Sequence, residues 1–359
     1  MRRLTVLSVA YPLAPVGPDA VGGAEAVLHG LDAALAAAGH RSIVVAREDS
    51  RVAGVLVPVP RAPGDLDDAA RDAARAAARR AVAAAVRAHA PDVVHLHGLD
   101  AHHYLPPSPG PPALVTLHLP PAWCEPRALR PERPRTWVHG VSAAQHAALL
   151  AADAGPLLPP IPNGVDVDAL GRARHARRGF ALMLARVCEE KGQHLALRAA
   201  RGAGVPLLLA GEVHPYPAHR AYFARAVAPL LDGQAYRFLG PVGGARKRRL
   251  LAAARCLLVP STVPETSGLA AMEAAACGTP VVALPSGALA ETVEHGRTGF
   301  HARDEAEMAA AILRAGEIAP AECRRVARGR FDARRTAAAY LALYARLASG
   351  AVPPMAEAA

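Results

Sequence analysis

The chain has 359 residues, 52% hydrophobic and 20% charged. That is enough for two ordinary domains with sizeable cores, and it excludes wholesale disorder. Five scattered cysteines without a C-x-x-C pair argue against a disulfide scaffold and a cysteine-rich zinc module, and no apolar run reaches the roughly 18 residues of a spanning helix. The net charge of +10 is carried almost wholly by arginine, with lysine at 191 and 247 alone. Such a surface suits phosphate ligands or peripheral contact with an anionic membrane. Aromatics are few (4%) and no recognition motif is present, so nucleic acid is not expected as a partner. The N-terminus, MRRLTVL, runs directly into a strand-like segment without a signal peptide's apolar stretch. The expected location is the cytoplasm, with the inner face of the cell membrane open as a contact surface.

The predicted elements alternate strand and helix. Residues 4–10 form a first strand and end in a Pro-rich loop. Gly22 and Gly23 then open a helix to about Ala38, stopped at Gly39. Strands follow at 41–46 and 55–59, and an Ala-rich helix spans 67–89. Further strands lie at 92–97 (DVVHLH), 114–118 (LVTLH) and 137–141. Near 157–163 the pattern breaks into LLPPIPN, followed by the basic stretch GRARHARRG. This marks a domain boundary. The alternation restarts with strands at 180–184, 206–210, 236–239, 256–259 and 280–283. Helices are expected from Lys191 to Ala203, Ala245 to Ala254 and Gly268 to Ala276, and a last one from Arg334 to Ala348. Strands separated by helices imply two doubly wound parallel sheets, covered on both faces. In such sheets ligands sit beyond the strand C-termini, and two domains facing each other would share a cleft there.

One block stands out. In PETSGLAAMEAAACGTP, from Pro264 to Pro280, Glu265 and Glu273 lie eight apart with Gly268 opening a helix between them. The N–H groups near Gly268 and Leu269 then form an anion site backed by the positive helix end. Carboxylates beside it are poor phosphate ligands but good acceptors for sugar and ribose hydroxyls. A second signal is Arg186, just after a strand, with Lys191 at the next helix start. Two cations held there suit a diphosphate, and a lysine in so arginine-rich a chain hints that a compact ammonium is wanted.

These residues carry a resemblance. The chain resembles the retaining family 4 glycosyltransferases (glycosyl transferases group 1) of the GT-B fold over nearly its whole length. The Glu-x7-Glu block and the following GALAETVEHGRTGF are the specific part, supported by Arg186 with Lys191, Gly22-Gly23, and the IPNGVD stretch from Ile161. The resemblance implies two Rossmann-like domains facing a central cleft. The acceptor-binding domain would be 1–168 plus a crossover helix at 334–350, and the nucleotide-sugar domain 175–333. It implies that Glu265 holds hydroxyls of the donor sugar and Glu273 the ribose. Gly268 and Leu269 would offer N–H groups to the donor, and Ser267 would line the sugar pocket. Arg186 and Lys191 would neutralise the diphosphate as charge grows on the leaving group. Gly22 and Gly23 would allow close approach of the N-terminal loop to donor and acceptor. His118 matches the family's active-site histidine. His97, Ser142 and Asn163 are tentative acceptor or cleft residues, with plainer readings beside them: Ser142 as a helix cap, Asn163-Gly164 as a turn. No metal and no cofactor are expected, the nucleotide sugar being a co-substrate.

The implied reaction moves a hexosyl group from a UDP- or GDP-linked sugar, with retention, to a hydroxyl of a saccharide, glycolipid or small metabolite. Thr266-Ser267 stands where the family more often has Pro-Phe, so sugar and acceptor stay open. The alternatives are a nucleotide-sugar epimerase, a non-catalytic sugar-nucleotide-binding protein, and a zinc hydrolase built on His95, His97, His102, His103 and His118. An H-x-H pair can ligate zinc, but no H-E-x-x-H accompanies it. The plainer expectation puts His97 at a cleft-facing strand end and the other histidines in loops. The run Arg246-Lys247-Arg248-Arg249 is read as the solvated face of a helix, with phosphate binding second.

Overall fold

The structure, a computed structural model, describes residues 2–62, 64, 66–173, 175–351 and 355. It divides into two units, 1–163 with 334–359, and 164–333. The first holds six parallel strands: β1 (Thr5–Val9), β2 (Arg41–Arg47), β3 (Val55–Val59), β4 (Val93–Leu96), β5 (Ala113–Thr116) and β6 (Thr136–His139). Their order is β3-β2-β1-β4-β5-β6. Side chains alternate across the sheet. Leu7 and Val9 of β1 pack on one face with Ala78, Val82 and Ala85. Val6 packs on the other with Leu31, Leu35, Tyr340 and Tyr344. Both faces are therefore covered, which is why these strands read as continuous apolar runs.

The helices follow from local sequence. Helix Asp68–His89 is capped by the Asp67 carboxylate, which accepts from Ala70 N–H at 2.8 Å. It buries Ala74, Ala78, Val82 and Ala85, a single stripe at helical spacing. The terminal helix Ala333–Ala348 buries Tyr340, Tyr344 and Leu347 against the first sheet.

The second unit repeats the plan with β7 (Ala181–Leu184), β8 (Leu207–Ala210), β9 (Tyr236–Phe238), β10 (Cys256–Val259), β11 (Val281–Ala283) and β12 (Gly299–His301). The order β12-β11-β10-β7-β8-β9 is the same winding as in the first unit.

Four expectations need correction. The units divide after Asn163, not at 168, because Val165 N–H donates to Phe331 O at 2.7 Å and Val167 and Leu170 lie in the second core. Edge strand β12, only three residues long, was not anticipated. The LVTLH strand is shorter and earlier, so His118 lies two residues past β5. Lys191 ends a 3-10 turn, Glu189–Lys191. Gly192 then takes a left-handed φ of 70° before helix Gln193–Gly202 begins.

Candidate active site

In the second unit the chain winds outward from β7 to β9, then returns to β10 on the other side of β7. The switch point lies between β7 and β10, where ligands bind in such sheets. Arg186 and Lys191 follow β7. Ser261 and Glu265 follow β10. The buried Gln193 donates from Nε2 to Arg186 O at 2.6 Å, and Thr262 N–H donates to Glu190 O at 2.9 Å, tying the two loops together.

Glu265 is held by its backbone as well as its side chain. Ala288 N–H donates to Glu265 O at 2.8 Å, and Gly287 (φ 59°) lies so close to the Glu265 backbone that a Cβ would collide with it. Glu265 Oε1 accepts from both Lys191 Nζ and Ser261 Oγ. Burial alone would raise this carboxyl. The Lys191 charge, hydrogen bonds from Lys191 and Ser261, and the Arg186 charge hold it below its ordinary value. Arg186 sits 4.0 Å from the Glu190 carboxylate. Both expected diphosphate cations thus stand beside a carboxylate of their own.

Gly268 takes φ 75°, ψ 38° and caps helix Leu269–Cys277. The first N–H groups of that helix have no intrahelical acceptor. Ser267 is buried, and its Oγ has no hydrogen-bond partner. Glu273, just over one turn in, accepts from Lys247 Nζ at 2.7 Å. This corrects the reading of 246–249 as a purely solvated face: Arg246 and Arg249 are exposed, whereas Lys247 and Arg248 are half-buried. The two lysines of the chain therefore each hold one glutamate of the Glu-x7-Glu pair. The scarcity of lysine that singled out Lys191 pointed equally to Lys247.

In the first unit the corresponding switch point lies between β1 and β4. Gly22, after β1, caps helix Gly23–Ala37. A Cβ there would overlap the Glu25 carboxylate, so the missing side chain serves the helix's own third residue. His97, after β4, donates its backbone N–H to Val9 O at 2.9 Å. Its Nδ1 is 3.1 Å from His118 Nε2, and the rings stack with centroids 5.4 Å apart. Burial, with His139 nearby, pushes the His118 imidazolium down to about 3. Burial, with His118 and His139, puts His97 well below its ordinary value. The pair is neutral at physiological pH. Gln145 clamps the peptide on either side of His118, donating from Nε2 to Leu117 O at 2.8 Å and Leu119 O at 3.0 Å. Sequence reasoning missed it because Gln145 lies on helix Ala143–Ala151, beyond β6 and more than 25 residues away.

Ser142 accepts from Gln145 N–H at 3.0 Å and is the cap of helix Ala143–Ala151. Asn163 is buried with no hydrogen-bond partner on Oδ1.

The five-histidine cluster divides. His95 is not in a loop but fully buried, within a network whose directions are fixed. Gly140 O can only accept, so His139 carries its proton on Nδ1 (2.9 Å). Burial pushes His139 down to about 4, so its Nε2 is a lone-pair acceptor for the Thr116 hydroxyl at 2.7 Å. The Thr116 oxygen then accepts from His95 Nε2–H (2.6 Å) and Tyr340 O–H (3.2 Å). His95 Nδ1 in turn accepts from Tyr344 O–H at 2.6 Å. This network locks the terminal helix onto the sheet. His102 and His103 stand apart from the rest, beside Glu125.

Among the described residues, no helix is long and apolar enough to cross a membrane. The model for glycosyltransferase family 4 matches residues 21–169, and that for glycosyl transferases group 1 matches 178–317. A glycogen synthase of Mycobacterium tuberculosis is 30% identical over 86% of this chain and 85% of its own. A D-inositol 3-phosphate glycosyltransferase of Actinosynnema mirum is 34% identical over 45% of this chain and 43% of its own. The solved structure of AviGT4, a glycosyltransferase involved in avilamycin A biosynthesis, covers 97% of this chain and 99% of its own at 27% identity, with a TM-score of 0.70.

Proposed function

The chain belongs to the family 4 glycosyltransferases, with the GT-B fold, and we propose that it transfers a hexosyl group from a nucleotide-diphosphate sugar to an acceptor hydroxyl with retention of configuration. The observation that carries this is the switch point of the second unit. Arg186, the Lys191–Glu265 and Lys247–Glu273 pairs and the open N-terminus of helix Leu269–Cys277 lie on its loops and flanking helices. The donor belongs to this unit and the acceptor to the first. A UDP- or GDP-linked sugar and a saccharide, glycolipid or small-metabolite acceptor fit the reading, as does a cytoplasmic location.

The chemistry breaks the bond from the sugar's anomeric carbon to the diphosphate and forms one to the acceptor oxygen on the same face. The acceptor proton passes to a phosphate oxygen of the leaving group. Negative charge therefore grows on the diphosphate, where Arg186 and Lys191 supply preorganised positive charge without a metal. Glu265 Oε1 is taken by Lys191 and Ser261, which leaves Oε2 to accept from a sugar hydroxyl. Glu273 accepts from the ribose in the same way. His118, neutral, acts as a hydrogen-bonding group toward a hydroxyl rather than as a cation.

The test is a thermal shift with UDP, GDP, ADP and dTDP, with Mg²⁺ or EDTA, on wild type, Lys191→Ala and Glu273→Ala. A nucleotide at about 100 times its dissociation constant stabilises by about 2.7 kcal/mol. One nucleotide should shift wild type in EDTA and lose its effect in both variants. No shift, or one that survives both substitutions, refutes the assignment. Transfer is then read by nucleotide release that depends on acceptor, which separates a transferase from an epimerase, and by the anomeric proton coupling of the product.

A further inference from the structure

Two groups of three ligating side chains stand close enough, among the described residues, to share one ion. Cys188, Glu190 and His219 form the first. The Arg186 guanidinium already lies 4.0 Å from Glu190 and bears on His219, so a metal cation would meet like charge there. His102, His103 and Glu125 form the second, in the first unit. The ion pairs of Glu125 among the described residues are with these two imidazoles.

The geometry of the second group is close to a coordination sphere. Glu125 Oε2 is 3.2 Å from His102 Nε2, and Oε1 is 3.8 Å from His103 Nε2. Ligands about 2.0–2.1 Å from a tetrahedral zinc lie about 3.3 Å from one another. The His103 contact is too long for a hydrogen bond, and His103 Nε2 is buried with no partner. His102 Nδ1 is likewise buried and unpartnered, on a side chain only 8% exposed. Of these two orphaned nitrogens, His103 Nε2 is the one that faces the Glu125 carboxylate, and its unused lone pair is an unmet demand for an ion there. The supports are in place too. The rings sit 4.1 Å apart on the 3-10 turn Ala101–His103. Asp100 fixes that turn by accepting from Tyr104 O–H and Arg75 Nε, each at 2.8 Å. Glu125 caps helix Pro126–Leu129 and is exposed on its outer side, leaving a way in for an ion and a position for water.

We propose that His102, His103 and Glu125 bind one divalent transition ion of the zinc class. Two imidazoles and one carboxylate select zinc, cobalt or nickel over magnesium and calcium, which prefer oxygen ligands. The ion ties the loop after β4, which carries His97, to the loop after β5, which carries His118. It is a clamp on the first unit, separate from the cations of the second.

The test is a cobalt titration of tag-free, chelator-treated protein. The expected result is one cobalt per chain with visible d–d absorption, no thiolate charge-transfer band, displacement by zinc, and a higher melting temperature with either metal. Glu125→Ala and His103→Ala should each weaken cobalt binding about tenfold or more with unchanged circular dichroism. Glu125 is exposed, so its variant tests the ligand set without entering the core. Cys188→Ser should leave binding unchanged. Absence of stoichiometric cobalt, indifference to both ligand substitutions, or loss of binding with Cys188→Ser overturns the proposal. None of these readouts needs transferase activity, so they stand or fall apart from the proposed reaction.

Discussion

The two units share one winding and differ in what they bring to its switch point. In the second, the glutamates that follow β10 are held by lysines from other elements: Glu265 by Lys191, after β7, and Glu273 by Lys247, on the helix before β10. In the first, β4 and β5 are followed by His97 and His118, and the sheet beneath holds His95 and His139, all four pushed toward the neutral form by burial. The topology supplies a place, and the loops decide its electrostatics. A site built from ion pairs offers charge to a charged ligand. One built from neutral imidazoles offers directional hydrogen bonds.

Acid should separate the units most. A histidine whose folded value lies below its unfolded one near 6.5 contributes full stability above 6.5 and loses it as pH falls, by about 1.4 kcal/mol per pH unit for each group. His118 and His139 continue this loss to about 3 and 4, and His95 and His97 shift in the same direction. The Glu265 pair contributes above the ordinary glutamate value of 4.5 and is lost only below it. The second unit's lowered histidines, His194, His214, His219 and His301, are less buried and count for less. Between pH 6.5 and 4.5 the first unit should therefore unfold before the second. Calorimetry or hydrogen exchange resolved by unit measures this, and a second unit that melts first breaks the comparison.

Next in size is Lys191→Ala. Loss of one preorganised charge at a developing anion costs about 10²- to 10³-fold in rate. The acceptor-dependent turnover should fall by that much, while an exposed control, Arg249→Ala, should not change it. Tyr344→Phe then tests the neutral network. It leaves His95 Nδ1 without its donor, at a cost of about 1–3 kcal/mol, and should lower the melting temperature of the first unit alone. Smallest is Ser142→Ala, which removes a helix cap at about 1 kcal/mol. It should destabilise without altering nucleotide binding. A loss of acceptor affinity beyond that would restore Ser142 as a binding residue.

Much of this was legible in the sequence. Eleven of the twelve strands are legible as short segments between helices, the central ones as continuous apolar runs because both faces of the sheet are covered there. The missed one, β12, is a three-residue edge strand, too short to show a period. Glu265, Gly268, Arg186 and Lys191 were readable from spacing, since each sits within a few residues of a strand end or helix start. Lys247 is read only as part of the basic run 246–249, and Gln145, Ser261 and Glu125 are not singled out. Their partners lie on other elements, and for Lys247 the single available signal was its rarity.

The sequence by itself determined the alternation of strand and helix, the repeat of one winding and the block that carries the family, because these rest on local period and spacing. The tertiary structure decided which charges cancel, which imidazoles are neutral, and that His102 and His103 meet Glu125 rather than His95 or His97. Those are properties of burial and of neighbours distant in the chain. They exist only once the sheet has brought its loops together.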